Sequence, residues 1–245
     1  MKMDEKLEKE REERRKLFLS WDIENDLPCE VGDYVLKRID FPTMEDRKAG
    51  KVKTDIRVYT AFAWENEKNG WMVKAIFDEE TKDYMVKMDL RLMALTQLES
   101  ITGDFEQFKK RVRELTPKAI EKELIHLERV SVLAAAKGFM KWDYEKVMLP
   151  ERMGQYKRII KPVNPVEGLN GSFIIGAYEC RERNIGVLFF YNIYREEYYG
   201  ELRAGGIPVI VHQYDATTIN EFSSHLEAYL EKDLETLYEN PVVED

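Results

Sequence analysis

One pattern constrains this chain's fold more than any other: short alternating strands that run into a capped amphipathic helix, met twice. In the first pass, Ile56–Trp64 puts Ile56, Val58, Phe62 and Trp64 on one face, and Trp71–Phe77 returns with Trp71, Val73, Ala75 and Phe77. The period of two is that of a half-buried strand. Asn69-Gly70 closes the turn between them, because both residues tolerate positive φ. Tyr84–Leu98 reads as one strand or two. Asp104 then caps a helix with Gln107 at its third position, and Phe105, Phe108, Val112 and Leu115 form its stripe.

The second pass holds Phe173–Tyr178, Val187–Tyr194, Tyr198–Arg203 and Ile207–Gln213. Both faces of Val187–Tyr194 are apolar, the mark of a strand covered on both sides. Thr218 caps the last helix with Glu221 at the third position, and Ile219, Phe222, Leu226, Leu230, Leu234 and Leu237 give the clearest stripe in the chain. Candidate equivalents lie 116 or 117 residues apart: Gly70 with Gly186, Phe105 with Phe222, and Glu79 and Glu80 with Glu196 and Glu197. The expected fold is therefore α+β. It has two antiparallel meander sheets, each followed by an amphipathic helix, in a pattern that suggests internal duplication. The expected modules are a charged N-terminal helix over 1–24, a first sheet-helix module over 25–138 and a second over 139–245.

Between these elements, residues 26–54, with Pro28, Gly32, Pro42 and Gly50, read as irregular apart from one strand near Tyr34–Ile39. Residues 139–171, rich in Pro and Gly, read as irregular throughout. Thr116-Pro117 is expected to start a second helix, since proline suits a first turn, and Lys137-Gly138 to end it. Residues 4–20 pair acids and bases at helical spacing, as in Glu10 with Arg14, but with a poor apolar stripe. They predict a solvated helix whose C-terminal end docks.

The charge balance bounds function. There are 38 Lys and Arg against 47 Asp and Glu, a net −9, which disfavours broad binding to nucleic acid or anionic membrane. No run approaches 18 apolar residues, and the N-terminal stretch has no apolar core of a secretory signal. Cys29 and Cys180 are too few for a disulfide framework, so a reduced, cytoplasmic protein is expected. Zinc, phosphate-loop, dinucleotide and nucleophile-elbow motifs are all lacking, and no cofactor is implied.

Three groups of residues are candidates for chemistry. Cys180, His212 and Asp215 would make a nucleophile–base arrangement if the fold brought them together. A strand-end histidine and a small packed cysteine are the plainer reading. Tyr191, Tyr194, Tyr198 and Tyr199 belong to an unusually aromatic stretch. Aromatics at period two pack well in sheets, so core is the first reading, but adjacent Tyr198 and Tyr199 must point to opposite faces of a strand, which leaves one partly exposed on a surface that could bind a partner or an apolar ligand. Segment 137–161 carries seven basic against three acidic residues. There Trp142, Tyr144, Arg152, Lys157 and Arg158 could grip single-stranded nucleic acid or, with the overall charge, an acidic protein surface. The expected function is a non-enzymatic binding protein: an adaptor, accessory subunit or regulatory module, with a protein partner or a second copy of itself. A small hydrolase or transferase at Cys180, His212 and Asp215 is the alternative, and nucleic-acid binding through 137–161 the second.

Overall fold

The computed structural model describes residues 2–39, 58–147 and 149–241. Pro42, Gly50 and Ile56, on which parts of the reading above rest, lie outside the described residues. The chain is α+β with two antiparallel sheets and divides into two compact units. The first holds Met1–Leu90 and Ala94–Glu121; the second holds Arg91–Met93 and Lys122–Asp245. The charged N-terminal helix belongs to the first.

The first unit begins with α1 (Lys2–Ser20) and α2 (Ile23–Asp26). Its sheet runs in chain order: β1 (Glu30–Val31), β2 (Tyr34–Arg38), β3 (Val58–Asn66), β4 (Trp71–Asp78), β5 (Asp83–Asp89) and β6 (Ala94–Thr102). The stretch Tyr84–Leu98 is thus two strands. Helix α3 (Phe105–Ile120) follows, capped by Asp104, whose carboxylate accepts the Gln107 N–H at 2.8 Å. It buries Phe108, Val112, Thr116, Ala119 and Ile120. Pro117 does not start a new helix as expected: α3 runs through it into a π-helical turn, Glu121–Ile125. Proline removes one helix hydrogen bond, but burial of Thr116, Ala119 and Ile120 on the same stripe holds the helical path. His126 therefore sits in a turn beyond the helix.

Helix α1 is less solvated than its sequence suggests. The Arg14 guanidinium lies 4.1 Å from the Phe77 ring centroid and Arg11 lies 5.5 Å from that of Tyr59. Arg14 also donates to both Glu79 oxygens at 2.6 and 2.7 Å. Arginine stems cover aromatic faces while their forks meet a carboxylate, so a helix without an apolar stripe still docks.

The second unit opens with α4 (Val132–Ala136), a 3-10 turn (Phe139–Lys141) and α5 (Tyr144–Val147). The segment 139–171, expected to be irregular, also carries three strands: β7 (Arg152–Met153), β8 (Tyr156–Ile160) and β9 (Val166–Glu167). Then come β10 (Ser172–Cys180), β11 (Ile185–Asn192), β12 (Glu197–Ala204), β13 (Ile207–Ala216) and α6 (Ile219–Glu239). The sheet order is β13-β12-β11-β10-β8-β7, with β9 also pairing β10. All of β11 is buried, as its apolar faces predict. Helix α6 buries Phe222, Leu226, Leu230, Leu234 and Leu237, each contributing about 1.5–3 kcal/mol.

The two units share one register, 114 residues apart. Asp78 pairs Asp83 as Asn192 pairs Glu197, and Val86 pairs Gln97 as Gly200 pairs Val211. The irregularity between Thr60 and Phe62 recurs between Ile174 and Gly176. Lys82 and Glu196 both take positive φ, and Phe108 stands at the place of Phe222. The expected spacings of 116 and 117 are thus corrected. Glu79 and Glu80 match Ile193 and Tyr194, not the acidic pair Glu196 and Glu197. A further match precedes the sheets. Phe18, Trp21, Asp22 and Glu24 recur as Phe139, Trp142, Asp143 and Glu145, and Leu27, Pro28, Gly32 and Tyr34 recur as Leu149, Pro150, Gly154 and Tyr156. Leu36 N–H donates to Cys29 O as Arg158 N–H donates to Glu151 O.

The edge strands of both units carry the same wide bulge. Leu98–Ile101 stand opposite Met85, and His212–Asp215 stand opposite Tyr199. The filling differs. Ser100 Oγ accepts the Val86 N–H at 2.8 Å, whereas the buried Tyr214 ring occupies the space over Gly200. A Cβ on Gly200 would lie 2.6 Å from that ring. Gly200→Ala is expected to destabilise the protein by about 1–3 kcal/mol. Combined with Tyr214→Ser, which brings in the serine of the first unit, it is expected to cost less than the two single changes together, measured as a double-mutant cycle of urea unfolding.

The α1 anchor makes a pH prediction. Burial opposes ionisation of Glu79, but hydrogen bonds from Arg14 and Lys82 outweigh it and lower its pKa from 4.5. A lowered carboxylate stabilises the fold fully above the unfolded-state value and loses that contribution as pH falls through the folded-state value. Thermal melts should therefore lose stability below about pH 4.5, and Glu79→Gln should flatten that acid limb.

Candidate functional site

The second unit gathers most of the residues singled out for chemistry, and places them in different environments. His212 and Asp215 meet across the β13 bulge, with Nδ1 2.9 Å from Oδ2. Both are exposed, His212 at 83 % of its side chain. The bulge creates this pair, since it turns residues three apart toward each other. Cys180 is buried in the core at the other end of the sheet. It pairs Ile185, which pairs Ala204, which pairs Ile207, and His212 lies five residues farther along β13. Strand spacing and rise put the thiol roughly 20 Å from the imidazole. The triad is not assembled.

The four tyrosines divide. Tyr191 and Tyr198 are buried against each other, centroids 4.5 Å apart, and Tyr198 stacks on Phe222 at 5.1 Å. Burial pushes the Tyr198 phenol up to about 12 and raises that of Tyr191 as well, so neither is an acid or base near neutral pH. Tyr199, on the opposite face, is half-buried. It stacks on Phe190 at 4.8 Å, and its hydroxyl lies 3.0 Å from Ser172 Oγ. Tyr194 is 70 % exposed on the β11–β12 turn.

In segment 137–161, Tyr144 is buried, and Arg158 lies 4.9 Å from its ring centroid and donates to Leu149 O. Trp142 is half-buried, 5.8 Å from Phe222. Arg152 and Lys157 are exposed on β7 and β8. Tyr144 and Arg158 are thus held in internal packing, while half-buried Trp142 keeps one side toward Lys137 and Lys141.

Two clefts open near the exposed turn. One, of about 570 Å³, is lined by Tyr199, Glu201, His212, Asp215 and Thr217, among others. Its carboxylates are engaged: Glu197 with Arg195, Glu201 with Arg203, Asp215 with His212, and Glu221 with the Thr217 N–H. The other, of about 630 Å³, lies between Lys137, Lys141, Trp142, Tyr191, Tyr198 and Ile219. Lys137 donates to Glu196 at its rim, which raises the lysine pKa and lowers that of the carboxyl. Sequence reasoning missed this cleft. Lys137-Gly138 reads as a helix end, and only the fold shows that Gly138, at φ 82°, lies beside Ile219 in the cleft wall.

Among the described residues no group of His, Cys, Asp and Glu could hold a metal ion, and no helix is long and apolar enough to cross a membrane. No family model, curated protein or solved structure matches the chain.

Burial decides thiol reactivity here. Iodoacetamide followed by peptide mass spectrometry should label the exposed Cys29 and leave Cys180 unmodified in the folded protein. Rapid labelling of Cys180 would contradict its place in the core.

Proposed function

We propose that the protein acts by binding, as an adaptor, accessory subunit or regulatory module, and that its contact surface is the β11–β12 end of the second unit. The observation that carries this reading is Tyr194. It is a largely exposed aromatic on a turn with little freedom. Asn192 Oδ1 accepts the N–H groups of Tyr194 and Arg195, both at 3.0 Å. The Tyr194 ring lies over Gly171, where a Cβ would approach within 2.5 Å. A ring held in place before contact loses little entropy on binding, which is why such tyrosines anchor interfaces. The position matching Tyr194 in the first unit is Glu80, so the scaffold does not require an aromatic there.

The matched registers support descent of the two units from one duplicated unit, with the second specialised for contact. Two unpaired cysteines suit a reduced, cytoplasmic setting. The partner on this reading is a protein or a second copy of the chain. A hydrolase or transferase at Cys180, His212 and Asp215 would need the thiol within reach of the imidazole, and the sheet separates them. Nucleic-acid binding through 137–161 would need Trp142 and Tyr144 free to stack.

The test compares affinity purification from the native host with the wild-type chain and Tyr194→Ser, read by quantitative mass spectrometry, alongside sizing of each alone. A specific partner or self-association should fall at least about tenfold in the variant, as for a hot-spot tyrosine, with the melting temperature unchanged. Identical partners and identical size for both would defeat the proposal.

A further inference from the structure

Strand β13 ends the sheet of the second unit, and the turn before it fixes which of its backbone groups β12 leaves unused. Gly205 and Gly206, at φ 59° and 85°, form a two-residue loop between the paired Ala204 and Ile207. Such a loop closes on a pair that exchanges both N–H···O bonds, and the pairs alternate from there. Ile207, Val209 and Val211, opposite Ala204, Leu202 and Gly200, therefore turn their backbone groups to β12. Pro208 and Ile210, opposite Arg203 and Glu201, turn theirs to the open edge. Proline has no N–H, so Pro208 offers only its C=O. Ile210 offers both groups. His212 offers its N–H, because the two ends of a trans peptide point opposite ways and the Val211 C=O faces β12. Along the strand the edge thus reads acceptor, donor with acceptor, donor.

We propose that this edge pairs antiparallel with the same edge of a second copy, about a two-fold axis at Ile210. The sequence of groups is its own complement. The two Ile210 residues exchange both bonds, and each His212 N–H meets the Pro208 C=O of the other copy. No bond in this ladder needs the N–H that proline lacks. A slip of two residues toward the turn would set Pro208 against Ile210 and strand the Ile210 C=O. An ordinary strand laid here would set a regular C=O against the proline nitrogen, whereas a second copy sets His212 there, where regular pairing stops at the bulge. Proline and a bulge usually guard sheet edges. Here they stand at the two ends of the open stretch and so fix its length and register. No charged residue lies between Ile207 and Val211 to keep two edges apart. Each half-buried Val209 would meet the half-buried Val211 of the other copy. The matching residues of the first unit are Ala94, Leu95, Thr96 and Gln97, without a proline, so the bounded apolar edge belongs to the second unit alone. The pairing does not use Tyr194 and goes beyond the reading above. A ladder this short makes a small interface, of the kind seen in transient complexes, so association depends on concentration.

Sedimentation equilibrium of the full chain from about 1 to 500 µM, with amide hydrogen exchange on the same samples, tests this. A monomer–dimer equilibrium is expected. Exchange at Ile210 and His212 should slow with rising concentration, while Val209 and Val211, bonded to β12, stay protected throughout. Ile210→Pro removes the central N–H and should weaken association at least about tenfold. Two further variants keep every backbone group. Ile210→Lys and Ile210→Glu each set like charges face to face across the axis and should weaken association several-fold, and mixing the two should restore it. Tyr194→Ser should leave the equilibrium unchanged, so loss of the tyrosine contact and loss of edge pairing are separate results. A chain that stays monomeric at the highest concentration, exchange at Ile210 and His212 that ignores concentration, or no recovery on mixing overturns the proposal.

Discussion

The fold depends on one contact made twice: a tyrosine on the third strand of the meander stacked on a phenylalanine in the first turn of the helix that follows. Tyr84 meets Phe108 at 5.5 Å, and Tyr198 meets Phe222 at 5.1 Å. Each pair joins two elements that have no local reason to lie together. The cap sets where the helix begins, and the stacked pair sets which face it turns to the sheet. Phe108, Val112 and Ile120, or Phe222, Leu226 and Leu234, can then lie over the strands. Without the stack the stripe would still be apolar, but its registration over the sheet would be set only by non-directional burial.

Around that shared contact the units diverge by exchange of volume. Where the first unit has Val86 and Ser100, the second has Gly200 and Tyr214. A small residue faces a large one in both, so packing density is kept while the polar atom moves. Tyr214 carries its hydroxyl across to Asp233, 2.5 Å away on α6, whereas Ser100 spends its hydroxyl within the bulge, donating to Gln97 O. The same bulge thus ties strand to strand in one unit and strand to helix in the other. Glu79 and Ile193 show a parallel exchange. The first receives arginines from α1, and the second joins the apolar core.

The strands and capped helices were legible because they rest on local signals: alternation, an Asn-Gly turn, a cap with its third-position partner. Helix α3 was misjudged at Pro117, because local preference there argued for a new start while burial of Thr116, Ala119 and Ile120 decided the outcome. The short strands β7 and β8 were lost in a Pro- and Gly-rich stretch. Only their match to β1 and β2, through Leu-Pro and the following Gly and Tyr, marks them in sequence. The repeat spacing is not legible from residue type, because Phe105 resembles Phe222 more than Ile219 does. Similarity of residue type favoured a shift of three that strand pairing rules out. The His212–Asp215 pair was legible as a spacing, but not its exposure or its distance from Cys180, since both depend on long-range pairing.

At matched register positions the second unit has Ile219 where the first has the half-buried Phe105, and the exposed Tyr194 where the first has Glu80. The Tyr194 ring is held on a braced turn. The change at Tyr194 does not improve the unit by itself, since an exposed ring forgoes burial. The buried phenols beside the cleft are raised in pKa and so neutral, and the nearby imidazole is open to solvent rather than buried beside a nucleophile. Burial forgone by the exposed Tyr194 ring is of the kind that contact with a second surface returns.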